Sequence, residues 1–218
     1  MSTLCLVTDS TNLRERKLAD VVRDAIEGGV NMVQLREKTL NTRDFVKLAR
    51  QVKCVTDDYH VPFVINDRID VAMAVDADGV HLGQSDMPYT VARALLGREK
   101  IIGLSVENIT QVIEANDFSV DYIGISPVFE TPTKTDTAMP CGIEGLAEAA
   151  QFSLHPIIAI GGININNTRQ VMSVIRRNTP QHNTFHVNKI ESGVAVVSAI
   201  MSAPSAKSAA EILMNNMK

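Results

Sequence analysis

Two permanent cations and an amide alternate where one short apolar run ends. Gln34, Arg36 and Lys38 lie two residues apart. Because side chains alternate across a β-strand, this spacing places all three on one face and Glu37 on the other. An arginine fork and a lysine ammonium suit an anionic ligand. The alternative is a solvated strand end with ordinary charges, and the motif alone favours neither interpretation.

Aspartates follow the next two apolar runs along the chain. Asn66 and Asp67 end one run, and Asp86 comes just after the run near 78–82. If the two runs are neighbouring strands, their carboxylates can meet at one hard cation, and Mg²⁺ takes one or two carboxylates together with phosphate oxygens. Each aspartate alone could instead cap the helix that follows it. As a pair beside two cations, they predict a Mg²⁺ site.

Hydroxyl, ammonium and glycine groups follow the later runs. Thr131-Pro132-Thr133-Lys134 offers two hydroxyls and one ammonium, which predicts a phosphate clamp on a candidate lid, with a Pro/Thr-rich surface loop as the alternative. Gly161-Gly162 and Val197-Ser198 follow the last two runs, where a (β/α)8 barrel commonly receives phosphate. Two anion sites and one Mg²⁺ site together predict two phosphorylated ligands, one of them a diphosphate.

All of these groups follow apolar runs that are typical of buried parallel strands, each succeeded by a helical pattern. The predicted strands are near 4–9, 32–35, 62–66, 78–82, 100–105, 120–126, 156–160 and 193–197. The predicted helices are near 18–27, 41–57, 69–75, 88–97, 108–116, 143–152, 166–177 and 205–217. This alternation predicts a single α/β domain over 1–218, a (β/α)8 TIM barrel with parallel strands. An open doubly wound sheet is the rival, but no G-x-G-x-x-G follows the first strand.

Composition narrows the classes of partner. The chain has 218 residues, 45% of them hydrophobic, and a net charge of −4, which argues against nucleic acid but not against small phosphorylated ligands. No apolar stretch is long enough to span a bilayer and no signal segment is evident, so we expect a cytoplasmic protein without a membrane partner. The three cysteines suggest neither a disulfide framework nor a zinc site.

One segment departs from the regular alternation. Residues 176–192 form a long polar connection before the last strand. His182 and His186 lie four residues apart within it, a metal-ligand spacing if the segment were helical. A solvated surface insertion is the favoured interpretation.

Seven motifs occur in order along the chain. They are Q-L-R-E-K, N-D-R-I-D-V-A, D-G-V-H-L-G-Q-S-D, G-L-S-V, D-Y-I-G-I-S-P-V-F-E-T-P-T-K, I-A-I-G-G-I and G-V-A-V-V-S-A-I. In these motifs the chain resembles the thiamine phosphate synthase family over nearly its whole length. That family condenses 4-amino-2-methyl-5-hydroxymethylpyrimidine diphosphate with a hydroxyethylthiazole phosphate, or its carboxylated form, to give thiamine phosphate and diphosphate.

The resemblance implies a role for particular positions. The pyrimidine diphosphate would contact Gln34, Leu35, Arg36, Glu37, Lys38, Asn66, His81, Ser105 and Lys134. The thiazole phosphate would contact Thr131, Pro132, Thr133, Gly161, Gly162, Val197 and Ser198. Asp67 and Asp86 would bind Mg²⁺, and Arg36, Lys38, Ser105 and Lys134 would act in catalysis. For His81, a packed strand histidine remains the alternative.

The implied chemistry agrees with these residue types. The nucleophile is a thiazole nitrogen lone pair that carries no proton, so the bond-forming step needs no protein base. A dissociative displacement asks the protein to stabilise the departing diphosphate and to align the thiazole.

Two other functions are possible on the same barrel. A thiazole tautomerase on the same barrel would have no use for a diphosphate-bound Mg²⁺. A regulatory phosphate-binding barrel would be expected to lose at least one of Arg36, Asp67, Asp86, Ser105 and Lys134, and all are present.

Association into a homo-oligomer is expected from barrels of this size. The 176–192 connection is more like fungal two-domain members, which leaves open a fused or separate hydroxyethylthiazole kinase.

Overall fold

Eight parallel strands close into a barrel in the order of the chain in this computed structural model. The structure describes residues 2–13, 15–131, 139–179 and 190–218. The strands are β1 Thr3–Val7, β2 Met32–Leu35, β3 Phe63–Asn66, β4 Gly79–Leu82, β5 Ile101–Val106, β6 Tyr122–Ile125, β7 Ile157–Ala159 and β8 Gly193–Val196. Pairing of β1 with β8 closes the sheet, so the predicted (β/α)8 architecture is confirmed.

Helices alternate with the strands and surround them. They are α1 Leu18–Glu27, α2 Thr42–Asp58, α3 Ile69–Val75, α4 Tyr89–Leu96, α5 Ile109–Ala115, α6 Gly142–Phe152, α7 Thr168–Asn178, α8 Ser198–Met201 and α9 Ala206–Asn216. Local signals set several of these bounds. Asn41 caps α2 by accepting a hydrogen bond from the backbone N–H of Asp44 at 3.0 Å, and Gly28 ends α1.

Sequence patterns missed two short elements. A 3-10 helix spans Ser10–Asn12, and α8 begins at Ser198, directly after the last strand. Elements of three or four residues are too short to show a helical period, which explains the omission. The helix-capping alternative for the two aspartates is wrong, because Arg68 and Pro88 occupy the N-cap positions of α3 and α4.

The sheet separates two layers of apolar packing. The larger layer lies between the strands and the helices, where residues such as Leu6, Val33 and Ile65 are fully buried. The smaller layer fills the barrel interior and consists of Cys5, Val7, Met32, Val64, Ile101, Tyr122, Ile158 and Ala195. Strands buried on both faces require near-continuous apolar runs, which is the pattern that the sequence carries.

No helix in the described ranges combines the length and apolar character needed to cross a membrane. His182 and His186 lie outside the described residues, so the interpretation of their spacing stays untested.

Gly103 makes room for the largest side chain inside the barrel. A Cβ atom at Gly103 would lie 2.1 Å from Cζ of Tyr122, far inside van der Waals contact. We therefore expect Gly103→Ala to lower the free energy of unfolding by about 1–3 kcal/mol, as overpacked cores do, measured by urea unfolding.

A Tyr122→Ala background provides the control, because it removes the ring that the new methyl group would meet. Gly103→Ala should cost clearly less there than in the wild type. An equal cost in both backgrounds would contradict this account of the interior.

Candidate active site

A cavity of about 610 Å³ opens where the strands end at their carboxyl termini. Residues at or after the ends of seven strands, β2 to β8, meet in it. The predicted site residues that line it are Gln34, Arg36, Lys38, Asn66, Asp67, His81, Asp86, Ser105, Thr131, Gly161, Gly162, Val197 and Ser198. Residues spread over more than 160 positions of sequence therefore converge on one space, as the strand-end pattern predicted.

The rim of β2 carries the cations. The side chain of Thr8 anchors this rim, since its hydroxyl accepts a hydrogen bond from the backbone N–H of Arg36 at 3.1 Å. Gln34, Arg36 and Lys38 all line the cavity, which agrees with their spacing. Nζ of Lys38 lies 2.5 Å from Oδ2 of Asp67, and the Lys38 side chain is 51% exposed. The lysine is therefore half in solvent, where its ammonium can also meet a ligand anion.

Two carboxylates lie side by side at the rims of β3 and β4. Asp67 adopts a left-handed backbone, with φ of 64°, directly after β3. Oδ2 of Asp86 accepts a hydrogen bond from the backbone N–H of Gly83 at 2.7 Å. Burial raises the pKa of Asp86, and its close contact with the Asp67 side chain raises that pKa further. The pair thus holds like charges together at some cost in stability.

This arrangement fits a hard divalent cation. Carboxylate oxygens are the donors that Mg²⁺ prefers, and one or two of them suffice when phosphate oxygens complete the shell. Within the described residues, no cluster of three or more His, Cys, Asp or Glu side chains has metal-binding geometry. A cation bound at Asp67 and Asp86 would therefore need ligand oxygens as well.

A chain of polar side chains runs beneath the cavity. Nδ1 of His81 lies 2.9 Å from the Tyr122 hydroxyl, and Nε2 of His81 lies 2.8 Å from Oγ of Ser105. The Gln34 side chain also hydrogen-bonds Tyr122, but burial dominates and raises the pKa of the Tyr122 phenol. His81 is only 3% exposed. The histidine is thus a buried link that fixes the hydroxyl of Ser105, rather than a solvent-facing group.

A glycine turn forms the opposite wall. Gly161 and Gly162 both have positive φ, 97° and 65°, which glycine adopts without the strain of a side chain. A Cβ atom at Gly162 would lie 2.6 Å from the backbone oxygen of Glu130, because the loop after β6 packs on this turn. Val197 and Ser198 lie beside the turn at the end of β8. Small residues here leave backbone N–H groups accessible from the cavity.

Two predicted ligand contacts do not line the cavity. Leu35 is fully buried in the layer between sheet and helices. The Glu37 carboxylate turns away and accepts a hydrogen bond from the Ser10 hydroxyl. Both placements follow from strand alternation, which sends neighbours of Gln34 and Arg36 to the other face. Pro132, Thr133 and Lys134 lie outside the described residues, so the predicted clamp and its catalytic lysine stay predictions.

Several cavity residues were not found from the sequence. Gln84 donates a hydrogen bond from Nε2 to the backbone oxygen of Ser105 at 2.5 Å, and Glu107 and Asn164 line the cavity. Tyr122 supports His81 from within the barrel. Gln84 lies in the motif D-G-V-H-L-G-Q-S-D, two residues before Asp86, and this position is a signal for a site residue. Tyr122 has no such signal, because its sequence pattern is that of an ordinary buried strand.

A family model, similar sequences and a solved structure all indicate the same protein family. Residues 4–200 match the family described as thiamine monophosphate synthase. A thiamine-phosphate synthase from Vibrio campbellii is 49% identical over 99% of this chain and 98% of its own length. One from Clostridium novyi is 44% identical over 97% of both chains. A thiamine phosphate pyrophosphorylase structure from Pyrococcus furiosus superposes with a TM-score of 0.83 at 34% identity, covering 99% of this chain and 95% of that one.

The carboxylate pair makes a prediction about stability. Asp86→Asn keeps an oxygen acceptor for the Gly83 N–H but removes the charge whose burial and proximity to Asp67 are unfavourable. A folded-state pKa raised above the unfolded value means that stability falls as the pH rises through that range. We therefore expect Asp86→Asn to raise Tm at pH near 7 in EDTA.

Asp70→Asn is the matched control with the opposite sign. The Arg68 guanidinium hydrogen-bonds Asp70 and lowers the pKa of that carboxyl, so removing its charge should leave Tm unchanged or lower it. Equal decreases in Tm for the two variants would contradict the unfavourable pairing of Asp67 with Asp86.

Proposed function

We propose that the cavity is the site at which this chain, which belongs to the thiamine monophosphate synthase family, condenses its two substrates. These are 4-amino-2-methyl-5-hydroxymethylpyrimidine diphosphate and hydroxyethylthiazole phosphate or its carboxylated form, and the products are thiamine phosphate and diphosphate. With the carboxylated form, the carboxyl group also leaves as carbon dioxide and a proton from solvent replaces it. The observation that carries this assignment is the placement of two carboxylates and a lysine on one rim, facing a glycine turn across the same cavity.

The diphosphate is assigned to the β2–β4 rim. Arg36 and Lys38 supply permanent positive charge there, and both line the cavity. The Asp67–Asp86 pair is the proposed Mg²⁺ site, since phosphate oxygens would complete its shell. A bound Mg²⁺ would neutralise charge on the diphosphate as it leaves. Lys38 can share its ammonium between Asp67 and the diphosphate, because half of its side chain is exposed.

The pyrimidine is assigned to the polar floor of the cavity. Gln34 and Asn66 are largely buried and offer amide groups, and Ser105 offers a hydroxyl held by His81. Contacts with Tyr122 and His81 fix the Gln34 amide and the Ser105 hydroxyl before any ligand arrives, so these two groups would orient the ring with little further ordering. A ring held in this way presents its methylene carbon toward the thiazole.

The thiazole phosphate is assigned to the opposite wall. Gly162, Val197 and Ser198 line it, and Thr131 extends it from the loop after β6. Backbone N–H groups at a tight glycine turn are suited to phosphate oxygens. This separation of anion sites would place the thiazole nitrogen between them, in line with the methylene carbon.

The proposed reaction is a dissociative displacement. The bond between the methylene carbon and the diphosphate oxygen breaks, and the electron pair leaves with the diphosphate. The thiazole nitrogen then supplies its own lone pair to form the new carbon–nitrogen bond. No proton moves in either step, so positioning and charge stabilisation are what the protein must contribute. The residues at the cavity are cations, amides and hydroxyls, which suit that task.

Three further expectations belong with this proposal. A cytoplasmic location, association into a homo-oligomer, and a fused or separate hydroxyethylthiazole kinase stay predictions. Each concerns the surroundings of the enzyme rather than the cavity.

The proposal is tested by measuring thiamine phosphate formation from both precursors, with Mg²⁺ and with EDTA. We expect product with Mg²⁺ and a loss of at least about a hundredfold in EDTA, the scale of lost charge stabilisation at a reacting centre. Asp67→Ala should show a similar loss even with Mg²⁺ present.

Asp70→Ala is the control, because that exposed aspartate lies near Asp67 in sequence but does not line the cavity. Its turnover should match the wild type. Product that forms equally in EDTA, or equal rates for the two variants, would contradict the proposed metal site. Absence of product in the wild type would favour a tautomerase or a regulatory barrel.

A further inference from the structure

Two asparagine side chains converge on one carbonyl of the glycine turn. The backbone oxygen of Gly162 accepts a hydrogen bond from Nδ2 of Asn164 at 3.2 Å and another from Nδ2 of Asn167 at 2.9 Å. Both asparagines belong to the loop between β7 and α7. A carbonyl that uses two donors from its own loop is strongly fixed in direction.

The other end of each amide fixes its orientation. Oδ1 of Asn167 accepts from the backbone N–H of Asn164 at 2.8 Å, and Oδ1 of Asn164 accepts from the backbone N–H of Asn166 at 2.9 Å. Reversing either amide would place donor against donor, so the assignment of both Nδ2 atoms is determined. The buried hydroxyl of Thr168 donates to the backbone oxygen of Asn164 at 2.6 Å and secures the loop from below.

The direction of this carbonyl sets the direction of the next N–H. The Gly162–Ile163 peptide is trans, and in a trans peptide the C=O and N–H point to opposite sides. The N–H of Ile163 therefore points away from the two asparagine amides. The Ile163 side chain is 5% exposed and packs in the outer apolar layer, so it is the backbone of Ile163 that lines the cavity.

The backbone N–H of Ile163 is available to donate a hydrogen bond to a ligand. Among the described residues, no acceptor is recorded for the backbone N–H of Ile163 or of Gly162. A backbone donor that lines a cavity without an internal acceptor is suited to a ligand oxygen. Successive N–H groups of this kind suit an anion in particular.

We propose that Asn164 and Asn167 are positioning residues that aim the Ile163 N–H at the phosphate of the thiazole substrate. This inference rests on the proposed function and adds what orients the backbone N–H group that would bind the thiazole phosphate. The amides themselves need not contact the ligand. They act through Gly162, by holding its carbonyl on the loop side of the turn.

The amide group is the essential feature of both residues. An aspartate at position 167 would keep the acceptor for the Asn164 N–H, but it would lose the donor to Gly162 and add a negative charge. Asn167→Asp is therefore nearly isosteric yet reverses the interaction with the carbonyl. Asn166→Ala is the matched control, because Asn166 is exposed in the same loop and only its backbone takes part in the network.

The experiment compares steady-state kinetics for three substrates in the full chain. They are the thiazole phosphate, the unphosphorylated hydroxyethylthiazole and the pyrimidine diphosphate. For Asn167→Asp we expect KM for thiazole phosphate to rise about tenfold, on the scale of a weakened hydrogen bond to a charged group. The KM for pyrimidine diphosphate, and kcat/KM for the unphosphorylated thiazole, should not change.

Asn164→Ala provides a second variant in case Asn167→Asp does not fold, and it should show the same selective rise. Asn166→Ala should match the wild type. A rise that is equal for phosphorylated and unphosphorylated thiazole, or KM values equal to those of Asn166→Ala, would overturn this inference alone. A wild-type enzyme that forms no product from thiazole phosphate would overturn the proposed function, and this inference with it.

Discussion

Repulsion between two neighbouring carboxylates is the constraint on which the site depends. Asn66 of β3 pairs in register with His81 of β4, and the Asp67 N–H then donates to the His81 carbonyl at 2.8 Å, so the barrel itself brings Asp67 to the rim of β4. Asp86 is turned toward it by the Gly83 N–H. A folded chain that keeps like charges together loses stability unless a cation joins them. Lys38 offsets part of that cost, and a divalent cation with its phosphate ligand would offset the rest.

Apolar side chains pack the barrel interior beneath this rim. Apolar side chains such as Met32, Val64 and Ile101 fill the lower part, and the polar side chains of Gln34, His81 and Ser105 line the cavity above them. Tyr122 joins the two parts, since its ring packs among apolar neighbours while its hydroxyl reaches His81. Buried polar groups of this kind are tolerated because each has a partner, and their partners also fix their direction. The site is therefore largely ordered before any ligand binds.

The sequence was sufficient for the architecture and for most of the cavity. Apolar runs marked every strand, and strand alternation correctly separated Arg36 from Glu37. It did not reveal that Tyr122 supports His81, because that contact joins β4 and β6 across the barrel interior. The role of Asn164 and Asn167 also depends on a turn whose backbone direction no local pattern specifies. Contacts that arise from closure of the barrel, or from one peptide's orientation, are visible only in three dimensions.

Calorimetric titration of the wild type with inorganic diphosphate, with and without Mg²⁺, tests the central claim most directly. If Asp67 and Asp86 repel until a cation and phosphate oxygens join them, each ligand must strengthen binding of the other by the same factor. We expect tight diphosphate binding only with Mg²⁺ present, and loss of that coupling in Asp86→Asn. Diphosphate that binds equally well without Mg²⁺, or coupling that survives in Asp86→Asn, would contradict the account.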